Sequence, residues 1–304
     1  MKLVADIGAT NARFALATEG RIESDVVVLP TSTPQLLEAA FAQFSDVTSA
    51  CLAVAGPVAG GRATITNANL SFAEPELTAM LGCPVKLIND FAAVSYSTRV
   101  ARSLVQVGSG EVDPVGVRAA IGPGSGLGMG ILVPTSNGWI ALDSEGGHAD
   151  LAVASALEAE LWSVLSAQAS PVTWESVLSG PGIVRLHQAV CSVWGAPTEP
   201  LTSERIVALG VGVEDPVCHQ TLEVFLGWLG AAAGALALTV CARGGTYIAG
   251  GIVPTIADQL ASSPMRRRFD DRGPMAELAR ALPLFVICDE YPGLLGASIA
   301  QEET

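Results

Sequence analysis

Asp6-Ile7-Gly8-Ala9-Thr10-Asn11 puts a carboxylate at the end of an apolar run and follows it with a tight turn of small and hydroxyl residues. Such a turn suits phosphate oxygens. Gly8 and Ala9 leave room for backbone N–H groups, Thr10 and Asn11 can donate, and Asp6 can hold Mg²⁺ through water. The same six residues also read as an ordinary hairpin turn, because short glycine motifs recur by chance.

A second stretch, Gly122-Pro123-Gly124-Ser125-Gly126-Leu127-Gly128-Met129-Gly130, carries five glycines at alternate positions. Apolar strand residues follow it, rather than a helix with a later acid, which excludes a dinucleotide fingerprint. No Lys-Ser/Thr follows, which excludes a P-loop. Two glycine turns after two similar strands would clamp a nucleotide from both sides. A side chain at Gly126 is expected to obstruct the approach of backbone to phosphate.

Asn89-Asp90 closes one strand and opens a helix. Asp90 there reads either as a helix N-cap or as a base that accepts a hydroxyl proton during phosphoryl transfer, with Asn89 orienting the alcohol. Ser144-Glu145-Gly146-Gly147-His148-Ala149-Asp150 gathers Glu, His and Asp around two glycines. With one His and no nearby Cys it suits a polyol better than a metal, although a lone His is as often structural. Glu175, ahead of Val177-Leu178-Ser179-Gly180-Pro181-Gly182, reads by itself as an exposed acid at a helix start. His187 and His219 sit in helical patterns and carry no assigned role. Arg266-Arg267-Arg268 reads as a solvated face.

The elements that must position these residues alternate. Strands are expected at Lys2 to Ile7, Ala12 to Ala17, Ser49 to Val54, Arg62 to Thr66 and Pro84 to Ile88. Helices are expected at Gln35 to Phe44, Glu74 to Leu81 and Phe91 to Arg99. This is an α/β pattern with a mixed sheet. Around Val107 to Val117 the chain turns loop-like. Beyond it the opening plan returns: Ala119-Ala120-Ile121-Gly122 parallels Val4-Ala5-Asp6-Ile7-Gly8, with strands at Arg118 to Ile121 and Ile131 to Pro134. Such a duplication predicts two related domains facing each other across a cleft. Helices are then expected near Ala154 to Ala167, Trp174 to Leu178, Pro181 to Trp194, Ser203 to Leu209 and Val217 to Ala242, and a strand at Thr246 to Ala249.

Composition narrows the partners. The 304 residues suffice for two α/β domains, and with half of them hydrophobic and 15% charged the chain is globular rather than disordered. A formal net charge of -14 argues against nucleic acid and against an anionic membrane surface. It leaves a nucleotide possible where Mg²⁺ and backbone N–H groups supply positive potential locally. The six cysteines stand apart from one another, at neither metal-ligand nor redox spacing, which fits a reducing cytoplasm. Asp6 interrupts the apolar start too early for a signal peptide. Val224 to Ala242 contains no charged residue and approaches the length of a membrane span, but its Ala and Gly content points to a buried core helix.

Together these motifs resemble the sugar kinase, actin and heat-shock ATPase superfold, and within it the bacterial glucokinase family. The resemblance runs from Lys2 to Ala297. It rests on Asp6 to Arg13, Ile88 to Val94, Gly122 to Gly128, Glu145 to Asp150, Leu178 to Gly182, Ala249 to Pro254 and Pro292 to Gly296, all in family order. It implies a two-domain actin-like (ribonuclease H-like) α/β fold. The small domain would comprise 1–105 with 290–304, and the large domain 106–289.

The implied activity is ATP- and Mg²⁺-dependent phosphorylation of glucose, with domain closure excluding water. Asp90 would be the general base. Asn89, Asp90, Glu145, His148 and Glu175 would hold sugar hydroxyls, and Asn67 would border that pocket. Asp6, Gly8, Ala9, Thr10 and Asn11 would form the first phosphate loop. Gly122, Gly124, Ser125, Gly126 and Gly128 would form the second, with Gly250 and Gly251 against the adenosine. A cytoplasmic homodimer is also implied.

The chain departs from the family pattern at Ala9, Pro123, Ser125 and Asp143-Ser144. Two rivals stand beside this reading: a kinase for mannose, N-acetylglucosamine or fructose, and a sugar-sensing repressor. The repressor would need a helix-turn-helix ahead of the first phosphate strand and usually a zinc-binding cysteine cluster.

Overall fold

Lys2–Ile7 (β1) is buried on both faces over Leu3, Val4 and Ala5, and Asn11–Thr18 (β2) returns beside it antiparallel with Asp6 opposite Arg13. The structure is a computed structural model and describes residues 1–65 and 70–300. Its backbone divides into two units, Met1–Leu104, Gly130–Asp143 and Asp289–Thr304 in one, Val105–Met129 and Ser144–Cys288 in the other.

In the first unit the chain continues through Arg21–Ile22 (β3), Val27–Pro30 (β4) and the short helix Leu36–Phe41 (α1). Ser49–Val54 (β5) then lies parallel to β1. Val58–Ala59 (β6), Arg62–Ile65 (β7) and Leu70–Ala73 (β8) form a small antiparallel sheet. Glu74–Leu81 (α2) stops at Gly82 in the left-handed conformation, as its sequence predicts. Val85–Asn89 (β9) pairs parallel with β5 and runs directly into Asp90–Ser97 (α3). The main sheet is ordered β3-β2-β1-β5-β9, with β4 also on β2.

The plan then recurs along the chain. Leu104–Gln106 (β10) leads to Arg118–Pro123 (β11), Leu127–Thr135 (β12) and Gly138–Ser144 (β13). Helices follow at Ala156–Gln168 (α4), Trp174–Val177 (α5), Gly180–Trp194 (α6), Ser203–Val211 (α7) and Pro216–Thr239 (α8). Gly245–Ile248 (β14), Pro264–Asp270 (α9), Ala276–Ala281 (α10), Leu284–Ile287 (β15) and Pro292–Ile299 (α11) complete the chain. In the strand order β13-β12-β11-β14-β15-β10 the first five match β3-β2-β1-β5-β9, with β10 added at the edge, and β14 is parallel to both β11 and β15. The duplication visible in the sequence is therefore a duplication of topology.

Two expectations need correction. Residues 130–143 fall in the span read as the second domain, yet they belong to the first unit. Leu132, Trp139 and Ala141 pack with Val4, Ala92, Ala93 and Leu294, and Gly130 lets α3 approach so closely that a Cβ there would lie 2.7 Å from the Phe91 carbonyl oxygen. Secondly, Arg266-Arg267-Arg268 is no solvated face. Arg266 is buried and donates to the carbonyls of Val107, Leu282, Ala279 and Arg280, while Arg268 pairs with Glu158 at 3.2 Å; Arg267 alone of the three is exposed. The Arg266 guanidinium thus satisfies carbonyls at the end of α10 and just after β10, and Arg268 a carboxylate on α4.

Helix α8 is long and apolar enough to cross a membrane by length and composition, but 78% of its most apolar window is buried inside the protein. Gly230 and Gly234 explain its composition. A Cβ at Gly230 would strike the Met265 carbonyl, and one at Gly234 would lie 2.7 Å from the Phe269 carbonyl oxygen, both on α9. All six cysteines are free, four of them buried.

Candidate active site

In the first unit the two chemical segments stand at the carboxyl ends of parallel strands, where α/β sheets place ligands. The turn after β1 is closed by the Gly8 N–H donating to the Asn11 carbonyl at 3.0 Å. It is also held from outside by Thr31, just beyond β4. The Thr31 N–H donates to the Thr10 carbonyl at 2.9 Å and its hydroxyl donates to the Gly8 carbonyl at 2.9 Å. Thr10 and Asn11 are exposed, and so are free to face a ligand. Burial pushes the Asp6 carboxyl above its ordinary value, and the Arg13 guanidinium offsets this only in part. The first turn of α11 closes on it: a Cβ at Gly293 would lie 2.8 Å from Asp6 Oδ2.

At the end of β9 the capping role falls on Asn89, not on Asp90. Asn89 Oδ1 accepts from the N–H groups of Phe91 and Ala92 at 2.8 and 3.1 Å, and its Nδ2 donates to the Gly56 carbonyl at 3.0 Å. Asn89 is buried, so most of its amide is committed to fixing the strand–helix junction. Asp90 is the first residue of α3 and partly accessible, with Oδ1 accepting from the Phe91 N–H at 2.9 Å. Negative charge is favoured in a helix's first turn. Asn67 lies outside the described residues.

In the second unit the glycine turn between β11 and β12 is bound at both ends by one segment. The Gly180 N–H, at the start of α6, donates to the Gly124 carbonyl at 2.8 Å, and Glu175 Oε2 accepts from the Leu127 N–H at 2.9 Å. Gly126 has no Cβ where Glu175 Oε2 sits, so the turn is built around that carboxylate. The expectation for Gly126 changes accordingly: a side chain there meets Glu175 before any phosphate. Gly124 and Ser125 form the exposed tip, and a Cβ at Gly124 would meet nothing within 4 Å. Gly250, at φ +104°, abuts the Pro123 carbonyl, and Gly251 is open.

The Glu145–His148 segment is laid on the start of β12. Gly147 stands where a Cβ would strike the Leu127 carbonyl, and Gly146 packs at Met129. The two glycines are thus the means by which the segment sits flat, leaving Glu145 and His148 exposed beside it. His148 Nδ1 comes within 4.0 Å of Glu175 Oε1. Glu175, which alone reads as an exposed helix-start acid, is therefore drawn between His148 and the glycine turn. Sequence reasoning missed Thr31 and the Glu175–Leu127 bond. Thr31 offers no local signal; the Gly-Ser-Gly at 124–126 together with an acid that opens a helix is the only trace of the second.

A family model described as Glucokinase matches residues 3–304. A glucokinase of Chromobacterium violaceum is 39% identical over 306 residues, covering 98% of this chain and 88% of that protein. Among solved structures, glucokinase from an Antarctic psychrotroph is 35% identical with TM-score 0.86, covering 98% of this chain and 97% of that one. A ROK family glucokinase from Streptomyces griseus, solved with glucose and AMPPNP, shares the fold at 21% identity and TM-score 0.69, covering 98% and 97%.

Proposed function

The chain belongs to the glucokinase family, and from that premise we infer that it transfers the γ-phosphoryl group of ATP to glucose, giving glucose 6-phosphate and ADP. Its fold is the two-domain actin-like ATPase fold. The observation that carries the reading lies in the second unit. There the glycine turn and His148 meet at a single carboxylate, Glu175.

Asp90 accepts the proton of the sugar's 6-hydroxyl as that oxygen bonds to the γ-phosphorus. The bond from phosphorus to the β–γ bridging oxygen breaks, and ADP leaves with the electron pair. Asn89 fixes the junction that presents Asp90 and has one amide hydrogen left for a hydroxyl. Glu145, His148 and Glu175 hold further hydroxyls, with Asn67 bordering them. The turns at 6–11 and 122–128 bind phosphates through backbone N–H groups, and Gly250 and Gly251 lie against the adenosine. Most of the rate then comes from positioning and charge stabilisation. A homodimeric enzyme of the cytoplasm completes the proposal.

Mg²⁺ fits these residues as an ion that arrives with ATP. Among the described residues no cluster of three His, Cys, Asp or Glu could cage a metal, whereas Asp6 is a single desolvated carboxylate beside a phosphate-type turn. Bound there through water, Mg²⁺ would neutralise phosphate charge.

A coupled ADP-release assay over glucose, mannose, N-acetylglucosamine and fructose tests the substrate. Glucose is expected to give the highest kcat/KM, and a tenfold preference for another sugar would reassign it. Gly124→Val tests the second turn. The added side chain has room, so the fold is kept, but it covers N–H groups meant for phosphate. Losing a hydrogen bond to a charged group costs about 1.5–3 kcal/mol, so KM for ATP rises about tenfold or more while KM for glucose holds. Equal rises in both would remove the turn from nucleotide binding.

A further inference from the structure

Glu175 has its two carboxylate oxygens in two different neighbourhoods. Oε2 accepts from the Leu127 N–H at the end of the glycine turn, and Oε1 faces the His148 ring at 4.0 Å. Neither neighbour buries the group: about a third of the Glu175 side chain and more than half of the His148 side chain remain accessible. A ligand that bonds His148 can therefore bond Oε1 as well.

The backbone around Glu175 is stiff where that matters. Thr173 and Ser176 form a reciprocal cap at the start of α5. The Ser179 hydroxyl donates to the Glu175 carbonyl at 3.0 Å and accepts from the Gly182 N–H at 3.0 Å, tying α5 to α6. From this mount one contact goes to each end of the turn, Gly180 N–H to the Gly124 carbonyl and Glu175 Oε2 to the Leu127 N–H. The first is backbone and fixed. The second depends on how one side chain is oriented, and Gly126 leaves space for that orientation.

We propose that Glu175 couples the two substrates: sugar bonding at Oε1 sets the orientation of the carboxylate, and through Oε2 sets the glycine turn for ATP. The proposal rests on the sugar-kinase reading and deepens it. The two oxygens belong to one rigid planar group, so a bond that fixes one fixes the other. The bond to Leu127 is charge-assisted, which makes it strong enough to hold the turn in one arrangement. Without sugar, the Leu127 bond is the one hydrogen bond among the described residues that orients the carboxylate, and sugar at Oε1 adds a second restraint on the carboxylate and so on the turn. Part of the nucleotide's binding energy is then spent on ordering the turn, a cost that bound sugar removes. Coupling of this kind is reciprocal, so the nucleotide must raise sugar affinity by the same factor.

The test is calorimetric titration of a non-hydrolysable ATP analogue with Mg²⁺, without and with saturating glucose, on the parent, Glu175→Gln and His148→Ala. In the parent, glucose is expected to raise analogue affinity about fivefold or more, and the analogue to raise glucose affinity equally. Glu175→Gln keeps the shape but replaces one oxygen by a donor, so either the turn or the sugar loses its acceptor. Its coupling factor should fall close to one. His148→Ala should weaken glucose but, at saturating glucose, keep the parent's coupling factor within twofold.

If Glu175→Gln lowers analogue affinity equally with and without glucose, Glu175 merely supports the turn and the proposal fails. If its coupling matches the parent's, the two sites communicate by another route and the proposal also fails. A parent that binds glucose with a coupling factor of one overturns the proposal alone. A parent that binds no glucose overturns the sugar-kinase reading beneath it.

Discussion

Asp90→Asn is expected to lower kcat by roughly 10² or more while leaving fold and glucose binding near the parent's, the scale of a lost general base. The variant is nearly isosteric. Its amide oxygen can still accept from the Phe91 N–H, and the cap of α3 belongs to Asn89, so the strand–helix junction survives. What disappears is the basicity that receives the hydroxyl proton. Steady-state kinetics and a melting curve on the same preparation check both halves. Turnover within threefold of the parent would remove Asp90 from the role.

The second large effect is expected at the sugar-binding residues. Glu145→Ala, His148→Ala and Glu175→Ala should each weaken glucose by about 1–3 kcal/mol, the cost of leaving hydrogen-bonding groups unpaired. Pairs of these changes should not add, because the side chains share one ligand. Their effects on nucleotide should differ. Glu175→Ala removes the acceptor of the Leu127 N–H and should lower affinity for an ATP analogue. That bond to the glycine turn is made by Glu175, so analogue affinity should hold in the Glu145 and His148 variants. Unchanged glucose affinity in all three would make these residues structural.

Local chemistry made much of the fold legible. Val4-Ala5-Asp6-Ile7-Gly8 and Ala119-Ala120-Ile121-Gly122 announced two strand–turn–strand openings, and the two sheets share one strand order over five strands. Gly82 marked the end of α2 because a left-handed cap favours glycine. The Ala and Gly of α8 marked a packed helix because small residues let α9 approach.

What escaped was non-local. Val27–Pro30 is too short for a periodic signal, yet it brings Thr31 to the first turn. Gly130–Asp143 joins the first unit through Leu132, Trp139 and Ala141, which no pattern in the hairpin itself reveals. Arg266 looked solvated because three arginines in a row usually are; its carbonyl partners come from positions 107, 279, 280 and 282. Asp90 was the cap candidate on sequence, and side-chain geometry gives that role to Asn89.

The most direct test of the account follows product rather than ADP alone. Purified protein with ATP, Mg²⁺ and glucose should form one glucose 6-phosphate, detected by its own dehydrogenase, for each ADP released, and Asp90→Asn should slow both together. ADP release without glucose 6-phosphate, or at the same rate when glucose is omitted, would contradict the account.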